Sequence, residues 1–452
     1  MRHRADIQGL RAIAVLLVIL AHLGIAGFDG GWIGVDVFFV ISGYLITSLL
    51  ISEHDRTNHV SLLQFYLRRA KRILPAALIT ILVVVIAGGL LLNEIRSGNI
   101  RTDAVWAVGF VSNIHFIRIN TDYFSSSQAV SPLQHFWSLA VEEQFYLIWP
   151  ALFLIITRQH GLVFGGRLIL RNQRLLLTAL VASALSLIWS ITTTASHPTS
   201  AYFSTLTRVW ELGFGALLAI FVVTYLKPDS ALLGRITPKV FSSLSWGGLV
   251  AILLGACVLI KPGDPFPGAL ALIPVLGAVG ILFGGLTEHQ PLPNRILAIQ
   301  PLPFIGTISF SLYLWHWPVH VFAEALHPDT VNTPAGIGIQ IAIITALSLA
   351  SYFLIENPTR HLPIGTRELE RKKFAEISPF PIGAVAVLIL GATFLFVVSR
   401  DTSGSTTTDA QIAQESSSIT VPVTSKPSTS GSSLGTTLVN RDPDEVLTEW
   451  KA

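Results

Sequence analysis

Hydrophobic positions in this chain come in long, nearly unbroken runs, rather than the strict alternation of a half-buried strand or the single stripe of a surface helix. A helix that crosses a bilayer needs about 20 mostly apolar residues at 1.5 Å rise each. Runs of that kind predict spans at 7–26, 32–51, 73–92, 135–157, 175–193, 205–225, 241–260, 267–287, 302–324, 335–355 and 379–399. The expected fold is therefore all-α and polytopic: a ten-helix core within 1–360, a cytoplasmic basic loop at 361–378, an eleventh transmembrane helix at 379–399, and a tail at 400–452. The weakly apolar stretch 103–117 carries Asp103, Asn113 and His115, and reads as a re-entrant or interfacial segment. A cleaved signal peptide is the alternative for the first run, since Arg2 and Arg4 precede it and Gly24-Ile25-Ala26 resembles a cleavage site. Against that, the glycine-rich 27–34 forms a tight hairpin straight into a second apolar run.

The polar segments set an orientation. Of the 30 Lys and Arg, 20 fall in the segments that are cytoplasmic if the N-terminus is inside, where such residues concentrate. An odd number of spans then sends the tail outside. That tail holds 19 Ser or Thr within 402–437 and is expected to be disordered and extracytoplasmic. Composition agrees on the solvent: 51% of the 452 residues are hydrophobic, and the 13% charged is about half the usual share in soluble chains. Mean hydropathy is +0.61. A soluble enzyme and an acidic scaffold are excluded, and a net charge of +3 leaves no nucleic-acid partner to expect. The lone Cys257 excludes a disulfide framework and a Cys-rich metal site, and no metal is expected.

Ionisable side chains at membrane depth are costly, so each marks a site hypothesis. Arg11 and His22 are eleven residues apart, almost three helical turns, and share a face about 16 Å long. Asp36, just inside the second span, lies at the depth of His22 and could hold its imidazole in one tautomer; capping its own helix is the competing role. Ser42 and Gly43 read as packing residues. His135, Glu142 and Tyr146 share a face of the fourth span, with Glu143 turned by about 100°. Two adjacent carboxylates need a cation, and Arg208, with Glu211 three residues on, offers one; a structural ion-pair network is the competing role. In the ninth span, Ser309, Tyr313 and His316 lie at spacings of four and three, and His316 between Trp315 and Trp317, followed by Pro318, suggests a lined cavity. Arg68, Arg69, Lys71 and Arg72 are either plain positive-inside signal or an anchor for a phosphorylated cytosolic ligand.

Several of these strings together resemble the membrane acyltransferase 3 family, which includes O-antigen and peptidoglycan O-acetylases. They are Ile7-Gln8-Gly9-Leu10-Arg11-Ala12 with ten residues between Arg11 and His22, Gly34-Val35-Asp36-Val37-Phe38-Phe39-Val40-Ile41-Ser42-Gly43-Tyr44, and Arg69-Ala70-Lys71-Arg72. The resemblance continues in Trp137-Ser138-Leu139-Ala140-Val141-Glu142-Glu143-Gln144-Phe145-Tyr146 and Tyr313-Leu314-Trp315-His316-Trp317-Pro318, and spans residues 1 to about 360. It implies a bacterial inner-membrane enzyme that takes an acyl group, usually acetyl, from cytoplasmic acyl-CoA and delivers it to a hydroxyl of an extracytoplasmic glycan. The family's Arg-x10-His roles carry to Arg11 and His22, and its Arg-x-x-Arg role to Arg69 and Arg72 on the CoA side. Many members with an eleventh span continue into an SGNH hydrolase-like domain. No Gly-Asp-Ser element follows residue 399, so the expectation is either a truncated chain or a separate partner carrying that domain.

The expected mechanism has Arg69 and Arg72, with Arg68 and Arg208 as further candidates, holding acyl-CoA, while Arg11 orients its arm. His22 acts as general base or brief acyl acceptor, Asp36 orients His22, and His316 or Tyr146 stabilises the oxyanion. Glu142 and Glu143 complete the candidate catalytic set. A proton-coupled transporter of a small polar solute would use intramembrane Glu and Arg equally well, and a sensory or scaffolding protein would tolerate loss of both Arg11 and His22.

Overall fold

The computed structural model describes residues 4–121, 130–158, 162–164, 167–169, 171–226, 236–287 and 289–361. The chain divides into Met1–Arg400 and Asp401–Ala452, and only the first unit contains described residues. The expected eleventh helix, the tail and all but the first residue of the 361–378 loop lie outside the described residues.

In chain order the helices are α1 (Ala5–His22), α2 (Gly34–Thr57, entered through a 3-10 turn at Gly31–Ile33), α3 (Leu62–Leu91), α4 (Glu94–Val108), α5 (Ser112–Arg118) and α6 (Phe136–Arg158). A small hairpin follows, in which β1 (Leu162–Phe164) pairs antiparallel with β2 (Arg167–Ile169), Val163 opposite Leu168. Then come α7 (Arg171–Ser196), α8 (Pro198–Phe203), α9 (Thr205–Tyr225), α10 (Pro238–Leu254), α11 (Leu272–Gly284), α12 (Leu292–Leu297), α13 (Leu302–Thr307), α14 (Ser309–Leu326), α15 (Pro334–Ser351) and α16 (Asn357–Arg360). Single π turns extend α10 over Gly255–Leu259 and join α15 to α16 over Tyr352–Glu356.

Among the described residues, eight helices are long and apolar enough to cross a membrane: α1, α2, α3, α6, α7, α9, α10 with its extension, and α15 through α16. This is a multi-pass membrane protein. Two expected spans differ from a plain apolar helix. At 267–287, Pro265, Pro267 and the positive-φ Gly263 and Gly268 precede the helix, and α11 covers only 13 residues, about 20 Å. At 302–324 the helix breaks at Ile308 into α13 and α14. α14 owes its polarity to Ser309, Ser311, His316 and His320, the first three of them buried. The 103–117 stretch forms no single span: α4 and α5 meet at a turn where Phe110 has φ +52°.

Burial is inverted relative to a soluble bundle. Helix α7 exposes Leu177, Leu180, Leu185, Ile188 and Trp189 while burying Ser183, Ser186, Ser190 and Thr194 at helical spacing. Apolar residues face where lipid would lie, and small polar residues line helix contacts, because hydrocarbon gives no hydrophobic gain for hiding Leu. Helices α2 and α9 approach closely. A Cβ on Gly43 would sit 1.8 Å from the Leu212 carbonyl oxygen, and one on Gly215 would sit 2.0 Å from that of Val40. Gly43 is therefore the packing residue its sequence context predicts.

Candidate active site

Helices α1, α2, α3, α6 and α14 enclose a cavity of about 820 Å3, open mouth included. Its polar lining comprises Arg11, Ser42, Arg69, Arg72, Glu142 and Tyr146, together with Ser138, Ser309 and Tyr313; Phe38, Phe39 and Phe310 supply apolar walls. Helical periodicity explains the set. Arg69 and Arg72 are three apart on α3, and Ser138, Glu142 and Tyr146 are four apart on α6, so each helix presents one polar stripe inward.

Arg11 donates from Nη2 to Ser309 Oγ at 2.8 Å and from Nη1 to Gln8 Oε1 at 3.1 Å. Glu142 accepts hydrogen bonds from the hydroxyls of Ser42 and Tyr146. The Arg69 guanidinium lies 4.4 Å from the Tyr146 ring centre, so a cation, an aromatic ring and a carboxylate follow one another in order. Glu143 lies outside the cavity lining, and one of its oxygens is buried with no hydrogen-bond partner among the described residues. Arg69 and Arg72 are the cations that act on it.

Toward the C-terminal end of α1 the polar seam continues. Ser138 Oγ and Tyr313 Oη are 2.5 Å apart, and the Tyr313 ring centre lies 5.2 Å from that of His316. His316 Nε2 lies 3.0 Å from His22 Nδ1, and His316 Nδ1 lies 2.7 Å from the backbone oxygen of Tyr313. A carbonyl oxygen only accepts, so the proton of a neutral His316 is on Nδ1 and its Nε2 holds a lone pair. His22 must then donate from Nδ1, which puts its own lone pair on Nε2. Trp317 packs against His22 at 4.5 Å between ring centres.

His135 completes the group, with its ring 5.7 Å from that of His316 and Nε2 3.2 Å from the Leu314 carbonyl. Pro318 explains why that oxygen is available: residue 318 would normally donate its N–H to Leu314, four residues back, and proline has none. The proline in Trp315-His316-Trp317-Pro318 thus creates an acceptor without ending α14, which runs on to Leu326. Among the described residues, no group of three or more His, Cys, Asp or Glu is arranged to hold a metal ion.

Arg11 and His22 both turn toward α14, meeting Ser309 and His316, which are themselves seven residues apart, so the shared face holds. Several expected partnerships do not. Asp36 does not orient His22: its carboxylate takes Arg208 Nη1 at 2.8 Å, and His316 fills the orienting place. Nor does Asp36 cap its helix, where no side-chain cap bond forms. Arg208 does not line the cavity and does not meet Glu142. It is 1% exposed, bonded to Asp36 and Glu211, and boxed in by Trp137, Tyr202 and Phe266 at 5.0 to 5.3 Å. Arg68 points away from the cavity to Glu53 at 3.0 Å. Tyr146 bonds Glu142, some eleven residues along α6 from His135, and so lies well away from His22. Ser42, expected to pack, instead bonds Glu142.

Two buried carboxylates escaped the sequence reading: Asp6, paired with Arg4 at the start of α1, and Glu356. Glu356 lies one residue past the predicted end of its span, and the π turn carries it to Ser311 Oγ at 2.9 Å, within electrostatic reach of Arg11 and Arg72. Extending the search for intramembrane charges by one turn at each span end would have found it.

The acyltransferase domain family, acyltransferase 3, matches residues 4–356. The peptidoglycan O-acetyltransferase OatA of Listeria monocytogenes is 34% identical over 362 residues, covering 78% of this chain and 55% of the relative. The O-acetyltransferase OatA of Staphylococcus aureus is 36% identical over 364 residues, covering 79% and 57%. The chain thus spans little more than half the length of these curated relatives. No solved structure matches.

Proposed function

The chain belongs to the membrane acyltransferase 3 family, and from that premise we propose that it moves an acetyl group from cytoplasmic acetyl-CoA to a hydroxyl of peptidoglycan outside the plasma membrane. The single observation that supports this reading best is the seam itself. A cavity lined by Arg69, Arg72, Arg11, Glu142 and the Ser138–Tyr313 pair abuts, through the Tyr313 ring packed on His316, a histidine, His22, whose lone pair the His316 contact directs to Nε2. CoA is too polar to cross a bilayer, so its phosphates stay with Arg69 and Arg72 while the pantetheine arm threads the cavity. Arg11, held by Gln8 and Ser309, lines the path of that arm.

At the far end, His22 Nε2 takes the proton of the acceptor hydroxyl as its oxygen attacks the thioester carbonyl. The tetrahedral intermediate collapses with C–S cleavage, and the imidazolium returns the proton to the departing CoA thiolate. An acetyl ester and free CoA result. His316 steadies the charged imidazole and sets its tautomer. The peptidoglycan acceptor follows the relative from Listeria, and the N-terminus-inside orientation follows the 20 basic residues of the expected cytoplasmic segments.

The test is thiol release from acetyl-CoA by the purified chain in nanodiscs, with and without peptidoglycan fragments. Acceptor-dependent release that His22→Ala abolishes is expected; release that survives His22→Ala removes His22 from the reaction.

A further inference from the structure

The proposed reaction leaves one buried carboxylate and one exposed arginine unused, and they stand one helical turn apart. Glu356 closes the π turn, and Arg360, four residues on, ends α16. Both the π turn and α16 pack on α3, the helix that carries Arg69 and Arg72. Short as it is, α16 is tied in place. Thr359 is buried, and its Oγ1 donates to the carbonyls of Ile355 at 2.7 Å and Glu356 at 3.1 Å. The next residue, His361, donates from Nδ1 to the Asn357 carbonyl at 2.7 Å.

Glu356 is 2% exposed and accepts from Ser311 Oγ at 2.9 Å. Ser311 lies two residues beyond Ser309, which holds Arg11. Arg11, Arg72 and Arg360 all lie within electrostatic reach of this one carboxylate, and Arg72 and Arg360 within reach of each other. Gathering three like charges at a helix contact is unfavourable, and one carboxylate offsets only part of it. Among the described residues, neither the Arg72 nor the Arg360 guanidinium makes a hydrogen bond or an ion pair. The corner therefore holds surplus positive charge and unused N–H donors from two different helices, which suits an anion bearing more than one phosphate group.

We propose that Arg360 belongs to the donor site and takes the ribose 3′-phosphate of acetyl-CoA at the cytoplasmic rim, an assignment that rests on acyl-CoA as the donor. Arg69 and Arg72 line the cavity, whereas Arg360 lies outside the lining and is exposed. The donor has the same order: pantetheine arm, then diphosphate, then 3′-phosphate furthest out. With the arm in the cavity, the diphosphate meets Arg69 and Arg72, and the 3′-phosphate falls to the arginine beyond the mouth. Glu356 beneath them keeps the cations together while the site is empty.

The test titrates the full chain in nanodiscs with CoA and with 3′-dephospho-CoA by isothermal calorimetry at low salt. Wild type should bind CoA about fivefold or more tightly than the dephospho form. Arg360→Ala should erase that preference, weakening CoA about fivefold or more while moving dephospho-CoA less than about twofold, and Arg72→Ala should weaken both. Arg360→Lys, which keeps the charge but loses the planar fork, should recover part of the loss. Arg360 is exposed, so its truncation spares the core. Equal weakening of both nucleotides in Arg360→Ala, or no weakening of CoA, overturns the proposal. Wild-type binding of both nucleotides without preference leaves the donor standing and sinks the Arg360 assignment alone, whereas failure to bind either one removes acyl-CoA as donor and the assignment with it.

Discussion

Removing the His316 ring tests the assignment of base and orienter most sharply. In His316→Ala, His22 Nδ1 loses the acceptor 3.0 Å away, while the Nε2 lone pair proposed to do the chemistry is not itself deleted. The effect is thus limited to what a buried neutral hydrogen bond supplies to tautomer choice and charge support. At about 1–3 kcal/mol, that is roughly a 5- to 150-fold fall in kcat, taking 1.36 kcal/mol per factor of ten. Deleting the base itself, in His22→Ala, should cost roughly 100- to 10,000-fold. Because His316 acts through His22, the double variant should be little worse than His22→Ala alone. His316→Gln, whose amide oxygen can accept from Nδ1, should recover part of the loss. Acceptor-dependent thiol release, with kcat and the KM for acetyl-CoA determined separately, reads all four variants, and KM should barely move. A greater loss in His316→Ala than in His22→Ala, or full additivity in the double variant, would refute the relay and make His316 the reacting group.

The basic cluster on the first turns of α3 gives a sharper contrast. Arg69→Ala or Arg72→Ala should raise the KM for acetyl-CoA at least tenfold, about 1.4 kcal/mol, with the effect shrinking in high salt. Arg68→Ala should change it by less than about threefold, because that side chain pairs with Glu53 at the surface, where such pairs contribute under about 1 kcal/mol. Kinetics on nanodisc-embedded protein decide both. Arg208→Met should act on the fold: it strands Asp36 and Glu211 in the interior, at a cost of about 3–5 kcal/mol. Thermal unfolding in detergent should show a markedly lower midpoint, and an Asp36→Asn/Glu211→Gln/Arg208→Met triple variant should regain most of it.

Pairings were where the sequence reading failed, and the reason is physical. A period of 3.6 places Glu142 with Tyr146 and Arg11 with His22 on common faces, and those faces held. It contains no information about which helix lies opposite. Asp36 and His22 share a depth, yet Arg208 of α9 reaches Asp36 because Gly43 and Gly215 let α2 and α9 come together. Arg208 looked like a counter-ion for the twin glutamates, but Arg69 and Arg72 take that place. Ser42 looked like packing because a small residue on an apolar helix usually is; only the approach of α6 turns it into a ligand of Glu142.

The sequence by itself determined the solvent, the all-α architecture, most of the membrane-crossing helices, and the residues too costly to leave in hydrocarbon without a purpose. Those follow from local quantities: run length, composition and the spacing of side chains on one helix. Tertiary structure alone decided that His316 rather than Asp36 meets His22, that Glu356 joins the arginines, and that α16 brings Arg360 within reach of Arg72. Each of these depends on contacts between residues far apart in the chain, where the free energy lies in the geometry of two helices together and in neither helix alone.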